Sequence, residues 1–172
     1  MGLQVSAFCT PLGWFCLFGR DHRVSLLTIG HRRAEDALHR FKLLADDCLD
    51  EVDWQPDLRQ RLESFASGDV VSFDDIDVEM DHRTPFQQRV LIATRGIGFG
   101  ETISYGELAA RVGSPNAARA VGAVMASNHI PIIIPCHRVV GSRGELVGFS
   151  APRGIDLKRR LLKMEQHAAP VM

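Results

Sequence analysis

The stretch from Ile130 to Gly141 constrains this chain more than any other. It runs Ile-Pro-Ile-Ile-Ile-Pro-Cys-His-Arg-Val-Val-Gly. The β-branched apolar run predicts a strand that is buried on both faces. Pro131 and Pro135 limit this strand, because proline cannot donate to a ladder and restricts the residue before it. We therefore expect the strand to stop just before Cys136, which places a thiol at the edge of a rigid core.

Cys136 is followed by a titratable ring, His137, and then by a cation, Arg138. A nucleophilic cysteine acts as its thiolate, and a nearby histidine or cation lowers the pKa of the thiol. Adjacent residues of an extended strand point to opposite faces, so contact between His137 and the sulfur needs a turn or a bridging water. The pair by itself is also compatible with a buried structural cysteine beside a histidine whose hydrogen bonds are satisfied. The surrounding sequence favours the nucleophile.

The segment Pro135–Val140 resembles the Pro-Cys-His-Arg-Val acceptor motif of the O6-alkylguanine-DNA alkyltransferases, which are also called methylated-DNA–protein-cysteine methyltransferases. The resemblance continues from about Thr84 to about Gln166. Before residue 81 it is loose and rests on Thr10–Gly13 and a strand-then-helix pattern. The further blocks that match the family in order and spacing are Gly100–Gly106, Ala117–Gly122, Asn128, Lys158, Leu161, Leu162 and Glu165.

Charge is divided unequally between the two halves of the chain. Residues 1–80 hold 8 Lys or Arg against 15 Asp or Glu, a net charge of −7, and residues 81–172 hold 12 against 6, a net charge of +6. The second half therefore carries the electrostatic footprint of a phosphate-binding surface. With the family resemblance, this predicts a structural α/β domain over 1–80 and a DNA-binding alkyltransferase domain, with the active-site cysteine, over 81–172.

The four cysteines lack the spacing of a disulfide framework, which favours a reducing, cytoplasmic compartment. No stretch approaches the roughly 18 apolar residues that a membrane span needs. The first residues also lack the basic and apolar segments of a secretory signal. We therefore expect a cytoplasmic monomer that has no membrane partner and uses neither a cofactor nor a metal ion.

In the first half, apolar runs and turn residues predict a meander with strands at 3–8, 14–18 and 24–29. Apolar residues at three- and four-residue steps predict an amphipathic helix from Arg32 to about Leu49. A second helix is expected from Asp57 to Phe65, and a further strand from Val70 to Phe73. The resemblance implies that these elements form a small ribonuclease H-like α/β domain.

In the second half, the pattern predicts a helix at 85–95, a glycine-rich turn at 96–100 and a short helix at 105–112. Ser114 and Pro115 are typical of an N-cap and a first helical position, so the next helix is predicted over 116–127. Two helices joined by a turn that contains Gly113 indicate a helix-turn-helix in a mainly helical, winged-helix-like domain. The small side chains of the second helix are compatible with tight internal packing or with close approach to a minor groove.

The resemblance implies DNA repair by irreversible transfer of the alkyl group of O6-alkylguanine, and of O4-alkylthymine, to Cys136. The partner is double-stranded DNA, and the damaged base has to rotate out of the stack to be reached. Arg119 matches the arginine finger that fills the gap left by the base. Tyr105 matches the tyrosine that turns the phosphate, contacts the flipped base and donates a proton to it.

The same match implies the remaining roles. His137, oriented by Glu165, is expected to deprotonate Cys136 through a water molecule. Asn128 is expected to brace the turn between the recognition helix and the active-site strand. The resemblance also implies contacts to phosphate or sugar from Ala118, Ser114 and Ser142. Backbone groups of Cys136 and Val139 and the Ser150 amide are expected to contact the guanine edge, and Phe149 is expected to form part of the pocket wall.

Two features depart from the family pattern. Phe149 stands where the family usually has tyrosine, and Ala151–Gly154 stands where it has a pair of glycines. Both lie in one wall of the predicted pocket. The departures therefore bear on the size of the substrate and the rate of transfer, and not on the identity of the nucleophile.

The residues leave three other functions open. A Cys-His hydrolase would turn over and would need an oxyanion hole, and a DNA-binding regulator would use alkylation of Cys136 as a signal. A zinc protein would need close ligand pairs, which the available spacing does not match. The ligands of such a zinc site would be Cys9, Cys16, His22 and His31.

Overall fold

The structure is a computed structural model, and it describes residues 3–42 and 49–168. The chain divides into two compact units, Met1–Glu79 with Ala151–Arg153, and Met80–Ser150 with Gly154–Met172. Helices and strands occur in both units, so the fold is mixed α/β. Across the described residues, no helix has the length and apolar character that crossing a membrane requires.

The first unit is built on a four-stranded sheet. Strands β1 (Leu3–Thr10), β2 (Gly13–Arg20) and β3 (Arg23–His31) form an antiparallel meander. A fourth strand, β4 (Leu49–Glu51), pairs parallel to β1 and gives the order β3-β2-β1-β4. The predicted meander is confirmed, and each of its strands is longer than predicted. Glycine is needed at the first turn, because Gly13 has a φ of 110° and a Cβ there would lie 2.7 Å from the His31 carbonyl oxygen.

Two helices, α1 (Ala34–Lys42) and α2 (Pro56–Ala66), complete the first unit. Helix α2 lies where it was predicted. The predicted end of the first helix was wrong, because Leu49 begins β4, and positions 43–48 lie outside the described residues. The predicted strand at 70–73 was also wrong, because Val70 is 61% exposed and the segment is a loop. Phe73 anchors this loop, since its ring packs against that of Phe65 with the ring centroids 6.0 Å apart.

The second unit holds the candidate site. Its helices are α3 (Pro85–Arg95), α4 (Tyr105–Arg111), α5 (Ala118–Ala126) and α6 (Gly154–Ala168). Two short parallel strands, β5 (Ile103–Ser104) and β6 (Val139–Val140), lie between them. Helix α3 spans the predicted residues. Capping boxes start both α3 and α4, formed by Thr84 with Gln87 and by Ser104 with Glu107.

Helix α5 begins later than predicted. The amide of Ala117 donates to the carbonyl of Ser114 at 2.9 Å, which closes a turn over Ser114–Ala117. The N-cap position is Ala117, and no side chain caps the helix. The prediction that Ser114 caps this helix and Pro115 opens it was therefore wrong. Serine followed by proline is also the signature of a β-turn, and the turn is what forms.

The segment at 130–135 folds as a tight turn and not as the predicted strand. The amide of Ile134 donates to the carbonyl of Ile130 at 2.9 Å, and that of Ile133 donates to the carbonyl of Pro131 at 3.0 Å. Ile132 has a φ of 71°, a strained conformation for a β-branched residue. Its side chain is only 2% exposed, so close packing on all sides holds this conformation in place.

Candidate active site

Cys136 begins a single turn of 3-10 helix, Cys136–Arg138, directly after the tight turn. Its amide donates to the carbonyl of Ile134 at 2.7 Å, and the residue is 5% exposed. Successive residues of a 3-10 helix are a third of a turn apart. His137 is therefore not forced onto the face opposite Cys136, as it would be in a strand.

The thiol of Cys136 faces a cleft of about 600 Å³ within the second unit. Helix α4 contributes Tyr105 to this cleft, and the first turn of α5 contributes Arg119. Small or apolar side chains make up most of the remaining wall. The lining residues besides Cys136, Tyr105 and Arg119 are Ala118, Gly122, Met125, Ala126, Val147, Gly148, Phe149 and Ser150.

Asn128 holds the tight turn closed from its N-terminal side. Its Nδ2 donates to the carbonyl of Ile134 at 2.9 Å, and its Oδ1 accepts from the amide of Ile130 at 3.1 Å. The residue is 6% exposed, so both hydrogen bonds are shielded from water. Asn128 thus fixes the backbone that leads into Cys136. The turn that it braces leads into the 3-10 helix of Cys136 and not into the predicted strand.

Behind the thiol, His137, Arg138 and Glu165 form a buried network. His137 Nε2 donates to Glu165 Oε1 at 2.8 Å, and Arg138 Nη2 donates to the same oxygen at 2.9 Å. Arg138 Nε lies 3.0 Å from Glu165 Oε2, which also accepts from the amide of Gly100 at 3.1 Å. His137 was predicted to pair with Glu165, whereas Arg138 was noted only as a cation near the thiol. Its position next to His137 in the acceptor motif was the signal that could have found it.

Burial dominates the electrostatics of these groups. It raises the pKa of the Cys136 thiol, against a hydrogen bond from Asn128. It lowers the pKa of His137, against the hydrogen bond and charge of Glu165. Burial alone would also raise the pKa of Glu165, but hydrogen bonds from His137 and Arg138 outweigh it and lower that pKa to about 2. At neutral pH the site therefore holds a thiol, a neutral imidazole and a carboxylate.

Lys158 is a second functional group to which the sequence analysis gave no role. It lies on α6, is 1% exposed, and donates through Nζ to the carbonyls of Val139 at 2.7 Å and Val147 at 3.2 Å. Burial lowers the pKa of Lys158, whereas its charge lowers the pKa of the Cys136 thiol. Its place among the family-matched positions of α6 was the available signal.

Tyr105 and Val139 differ in how the structure places them. Tyr105 lines the cleft, and its hydroxyl donates to the carbonyl of Val147 at 3.1 Å. Burial raises the pKa of Tyr105, and the charge of Cys136 adds to this effect. Val139 is fully buried in β6 and is not among the residues that line the cleft, and its carbonyl accepts from Lys158.

The two predicted phosphate-contacting serines lie at the surface, away from the cleft lining. Ser114 is half-buried in the turn before α5. Ser142 is exposed in the turn after β6, where the amide of Gly141 donates to the carbonyl of Glu145 at 2.8 Å. The structure thus groups Ala118, Arg119, Phe149 and Ser150 with Cys136 and leaves these serines apart.

The cysteines of the alternative zinc site lie on neighbouring strands. Cys9 is exposed in β1 opposite Trp14, and Cys16 is fully buried in β2 opposite Ala7. Over positions 3–42 and 49–168, no three His, Cys, Asp or Glu side chains cluster in a way that could hold a metal ion.

Residues 85–167 match the model of the family described as 6-O-methylguanine DNA methyltransferase, DNA binding domain. The matched range begins with α3 and ends within α6. It therefore contains the cleft and the network of His137, Arg138 and Glu165.

Known proteins are similar over two thirds or more of the chain. The methylated-DNA–protein-cysteine methyltransferase of Methanosarcina acetivorans is 34% identical over 166 residues, which cover 95% of this chain and 98% of the relative. The protein of the same name from Mycobacterium tuberculosis is 46% identical over 124 residues, 68% of this chain and 72% of the relative. The crystal structure of Mycobacterium tuberculosis OGT in complex with DNA has a TM-score of 0.79 at 32% identity, covering 98% of this chain and 96% of that chain.

The matched DNA-binding domain and the shared fold place this protein among the DNA repair methyltransferases. Its similarity to the Methanosarcina protein extends across both units, so it is not confined to that domain. The chain belongs to the methylated-DNA–protein-cysteine methyltransferase family. The resemblance first seen at Pro135–Val140 is confirmed as a family relation.

Proposed function

We propose that this protein repairs double-stranded DNA by transferring the alkyl group of O6-alkylguanine, and of O4-alkylthymine, irreversibly to Cys136. The observation that carries the proposal is the position of the Cys136 thiol. It faces a cleft that also contains Arg119 and the first turn of α5. A cleft of this kind can receive a base that has been turned out of the duplex, which brings its alkyl group within reach of a thiol inside the protein.

Transfer is a single displacement at the alkyl carbon. The S–C bond forms as the C–O6 bond breaks, and the bonding electrons leave with the guanine oxygen. The thiol proton passes through a water molecule to His137, and the guanine takes up a proton from Tyr105. The product is a thioether, which water does not hydrolyse. Each chain therefore reacts once.

The hydrogen bonds of the free protein support these proton transfers. Because His137 Nε2 donates to Glu165, Nδ1 is the ring nitrogen that can accept a proton. The raised pKa of Tyr105 keeps its phenol protonated at neutral pH, which is the form that donates. In the free protein the phenol donates to the carbonyl of Val147, so the incoming base takes the place of that acceptor.

DNA binding is assigned to α4 and α5, which form a helix-turn-helix with α5 as the recognition helix in the minor groove. The turn between them contains Gly113, with a φ of 76°. Apart from Arg119, the exposed positions of α5 are alanines, namely Ala120, Ala123 and Ala126. A helix face that carries such small side chains suits a narrow groove. The exposed guanidinium of Arg119, at the cleft, can stack in the gap that the rotated base leaves.

The first unit is assigned a structural role as a ribonuclease H-like domain over 1–80, with the alkyltransferase domain over 81–172. The support is topological: an antiparallel meander is extended by β4, which runs parallel to β1 at the edge of the sheet. The net charge of −7 over 1–80 also makes this half a poor surface for phosphates.

The number of alkyl groups accepted per chain tests the proposal. Full-length protein is mixed with an excess of duplex that carries one O6-methylguanine, and intact and peptide masses are recorded. We expect a gain of one methyl group per chain, on Cys136, after which the reaction stops. Cys136→Ser should gain none and still bind the duplex, and Cys9→Ser should behave as the wild type, since Cys9 lies in the other unit.

Two results would contradict this assignment. Repair that continues beyond one equivalent would identify a hydrolase, because a thioether cannot turn over. A methyl group found on Cys9, Cys16 or Cys48 would show that another thiol is the acceptor.

A further inference from the structure

Arg138 is buried beside Glu165 but takes no part in the transfer chemistry described above. Its Nε and Nη2 donate to the Glu165 carboxylate at distances from 2.9 to 3.2 Å, and its Nη1 donates to the carbonyl of Ile97 at 2.6 Å. The guanidinium also lies 5.7 Å from the centroid of the Phe99 ring. Burying a guanidinium is costly unless it is paired. Because buried Arg138 makes most of these contacts with the Glu165 carboxylate, its role depends on Glu165.

The Glu165 carboxylate is shared between two partners of different kinds. Oε1 accepts from His137 Nε2 at 2.8 Å and from Arg138, and Oε2 accepts from Arg138 and from the amide of Gly100 at 3.1 Å. With donors on both oxygens the carboxylate stays ionised. Its negative charge is balanced by Arg138, which is permanently protonated. His137 is therefore not required as the counter-charge.

We propose that Arg138 is a positioning residue: by pairing with Glu165, it keeps His137 neutral, with its proton on Nε2 and its Nδ1 open to a proton from Cys136. The proposal rests on the proposed function, in which His137 is the base for the thiol. A carboxylate bound to a histidine alone stabilises the imidazolium. An imidazolium cannot accept the thiol proton. Arg138, as the cation paired with the carboxylate, therefore decides whether His137 is neutral or protonated.

Three charged groups act on His137. Glu165 and Lys158 come from α6, and Arg138 comes from its own turn. Burial and the two cations favour the neutral ring, and Glu165 favours the charged one. Of the two cations, Arg138 contacts the carboxylate, whereas Lys158 donates to backbone carbonyls. Removal of Arg138 therefore takes away the counter-charge of the carboxylate to which His137 is hydrogen-bonded.

A nitrogen NMR titration of histidine-labelled full-length protein tests this directly. The His137 signal is assigned by its loss in His137→Gln. In the wild type we expect a neutral ring with the proton on Nε2 at neutral pH. In Arg138→Gln the carboxylate loses its counter-charge, so the pKa of His137 rises and the imidazolium signal appears at higher pH. Arg138→Lys keeps the cation and should stay near the wild type.

A double variant provides the matched control. Arg138→Gln/Glu165→Gln removes both charges and leaves an amide that can still accept from His137 Nε2. We expect its His137 ring to return to the neutral form at the pH where Arg138→Gln is protonated. Because neither charge is then left buried alone, this variant also separates the effect of charge from a loss of folding.

The pH profile of methyl transfer provides a second readout. Single-turnover rates are measured from pH 6 to pH 8. In Arg138→Gln the acid limb should move to higher pH, so that the ratio of the rates at pH 6 and pH 8 falls, by up to about tenfold for each unit by which the pKa of the base rises. The double variant should restore the ratio. A uniform fall at every pH value would mark a purely structural role and overturn the proposal.

The wild-type spectrum can contradict the proposal by itself, whether or not Arg138→Gln folds. A His137 ring that is protonated at neutral pH contradicts the proposal, as does an identical titration in the wild type and in Arg138→Gln. Failure of the wild type to accept a methyl group would contradict the proposed function instead. The NMR titration would then still test the effect of Arg138 on His137.

Discussion

Burial opposes charge on the titratable side chains around the thiol. It raises the pKa of Cys136 and lowers the pKa values of His137 and Lys158. Glu165 is the exception, because hydrogen bonds to its charged form outweigh the cost of burial. The resting site therefore keeps its negative charge on a paired carboxylate. New charge develops only when the proton leaves Cys136.

Replacing Lys158 tests how the thiolate is stabilised. Lys158→Met keeps the length of the side chain and removes the buried charge that lowers the pKa of Cys136. We expect the pKa of the thiol to rise and its alkylation by iodoacetamide to slow about tenfold at pH 8, since each pKa unit changes the thiolate fraction tenfold. The two proteins should react alike at high pH, where both thiols are ionised. The rate is followed by mass spectrometry of the peptide that contains Cys136.

Lys163→Met is the matched control, because Lys163 lies on the same helix but is exposed. It should react as the wild type does. Equal rates in Lys158→Met and the wild type would show that the charge of Lys158 does not reach the sulfur.

Among the elements, α6 does more than cover the core. Its buried face consists of Leu157, Lys158, Leu161, Leu162 and Glu165, a stripe at helical spacing that carries two polar groups. The apolar members hold the helix in place by burial, at about 1.5–3 kcal/mol for each side chain. The helix can therefore hold a lysine and a glutamate at fixed points behind the thiol.

The second element is α5, whose first turn carries Arg119. Arg119→Ala removes the side chain assigned to the gap in the duplex and should slow repair of O6-methylguanine in double-stranded DNA by about tenfold, a barrier increase of about 1.4 kcal/mol. Reaction with the free O6-methylguanine base needs no extrusion and should change little. Both rates are measured under single-turnover conditions.

The control for Arg119→Ala is Arg111→Ala, which removes an equal charge from an exposed position at the end of α4. It should leave the ratio of duplex to free-base rates unchanged. Equal losses on the two substrates in Arg119→Ala would show that Arg119 supports the fold and not extrusion.

At the scale of the whole molecule, stability depends on pH through the same network. The folded-state pKa of Glu165 is lowered from 4.5 to about 2. Its contribution to the free energy of unfolding is therefore fully present above pH 4.5 and is lost as the pH falls towards 2. The shift corresponds to about 3 kcal/mol. We expect the wild type to lose at least about this much over that window in denaturant unfolding experiments, because Asp36, Glu107 and Glu145, whose pKa values are also lowered, become protonated there too.

Glu165→Gln should be less stable than the wild type at neutral pH but should lose less stability in acid. It leaves the buried Arg138 without its anion, which costs about 3–5 kcal/mol at neutral pH, but it has no carboxylate to protonate at this position. The stability gap between the variant and the wild type should therefore narrow as the pH falls from about 4.5 to about 2. The exposed Glu101→Gln serves as the control, and unfolding curves that stay parallel down to pH 2 would contradict the assignment.

Elements specified by local chemistry were predicted from the sequence alone. Helix α3 begins at Pro85 behind a capping box formed by Thr84 and Gln87, all within four residues, and it was predicted with its observed bounds. The meander of β1 to β3 also depends on neighbouring apolar runs and tight turns. The family was likewise predicted from the acceptor motif around Cys136 and from the further blocks that match in order and spacing, because each block is contiguous in the chain.

Contacts that a sequence pattern does not reveal decided the rest. An isoleucine-rich run can be buried as a strand or as a compact turn, and the hydrogen bonds of Asn128 to Ile130 and Ile134 select the turn. Helix α6 was not among the predicted elements, yet it brings Glu165 onto Arg138 from 27 residues away. The sequence by itself thus determined the family and the locally capped elements, and it predicted the nucleophile. Only the tertiary structure decided the partners and protonation states of the site, because burial and pairing depend on which distant groups the fold brings together.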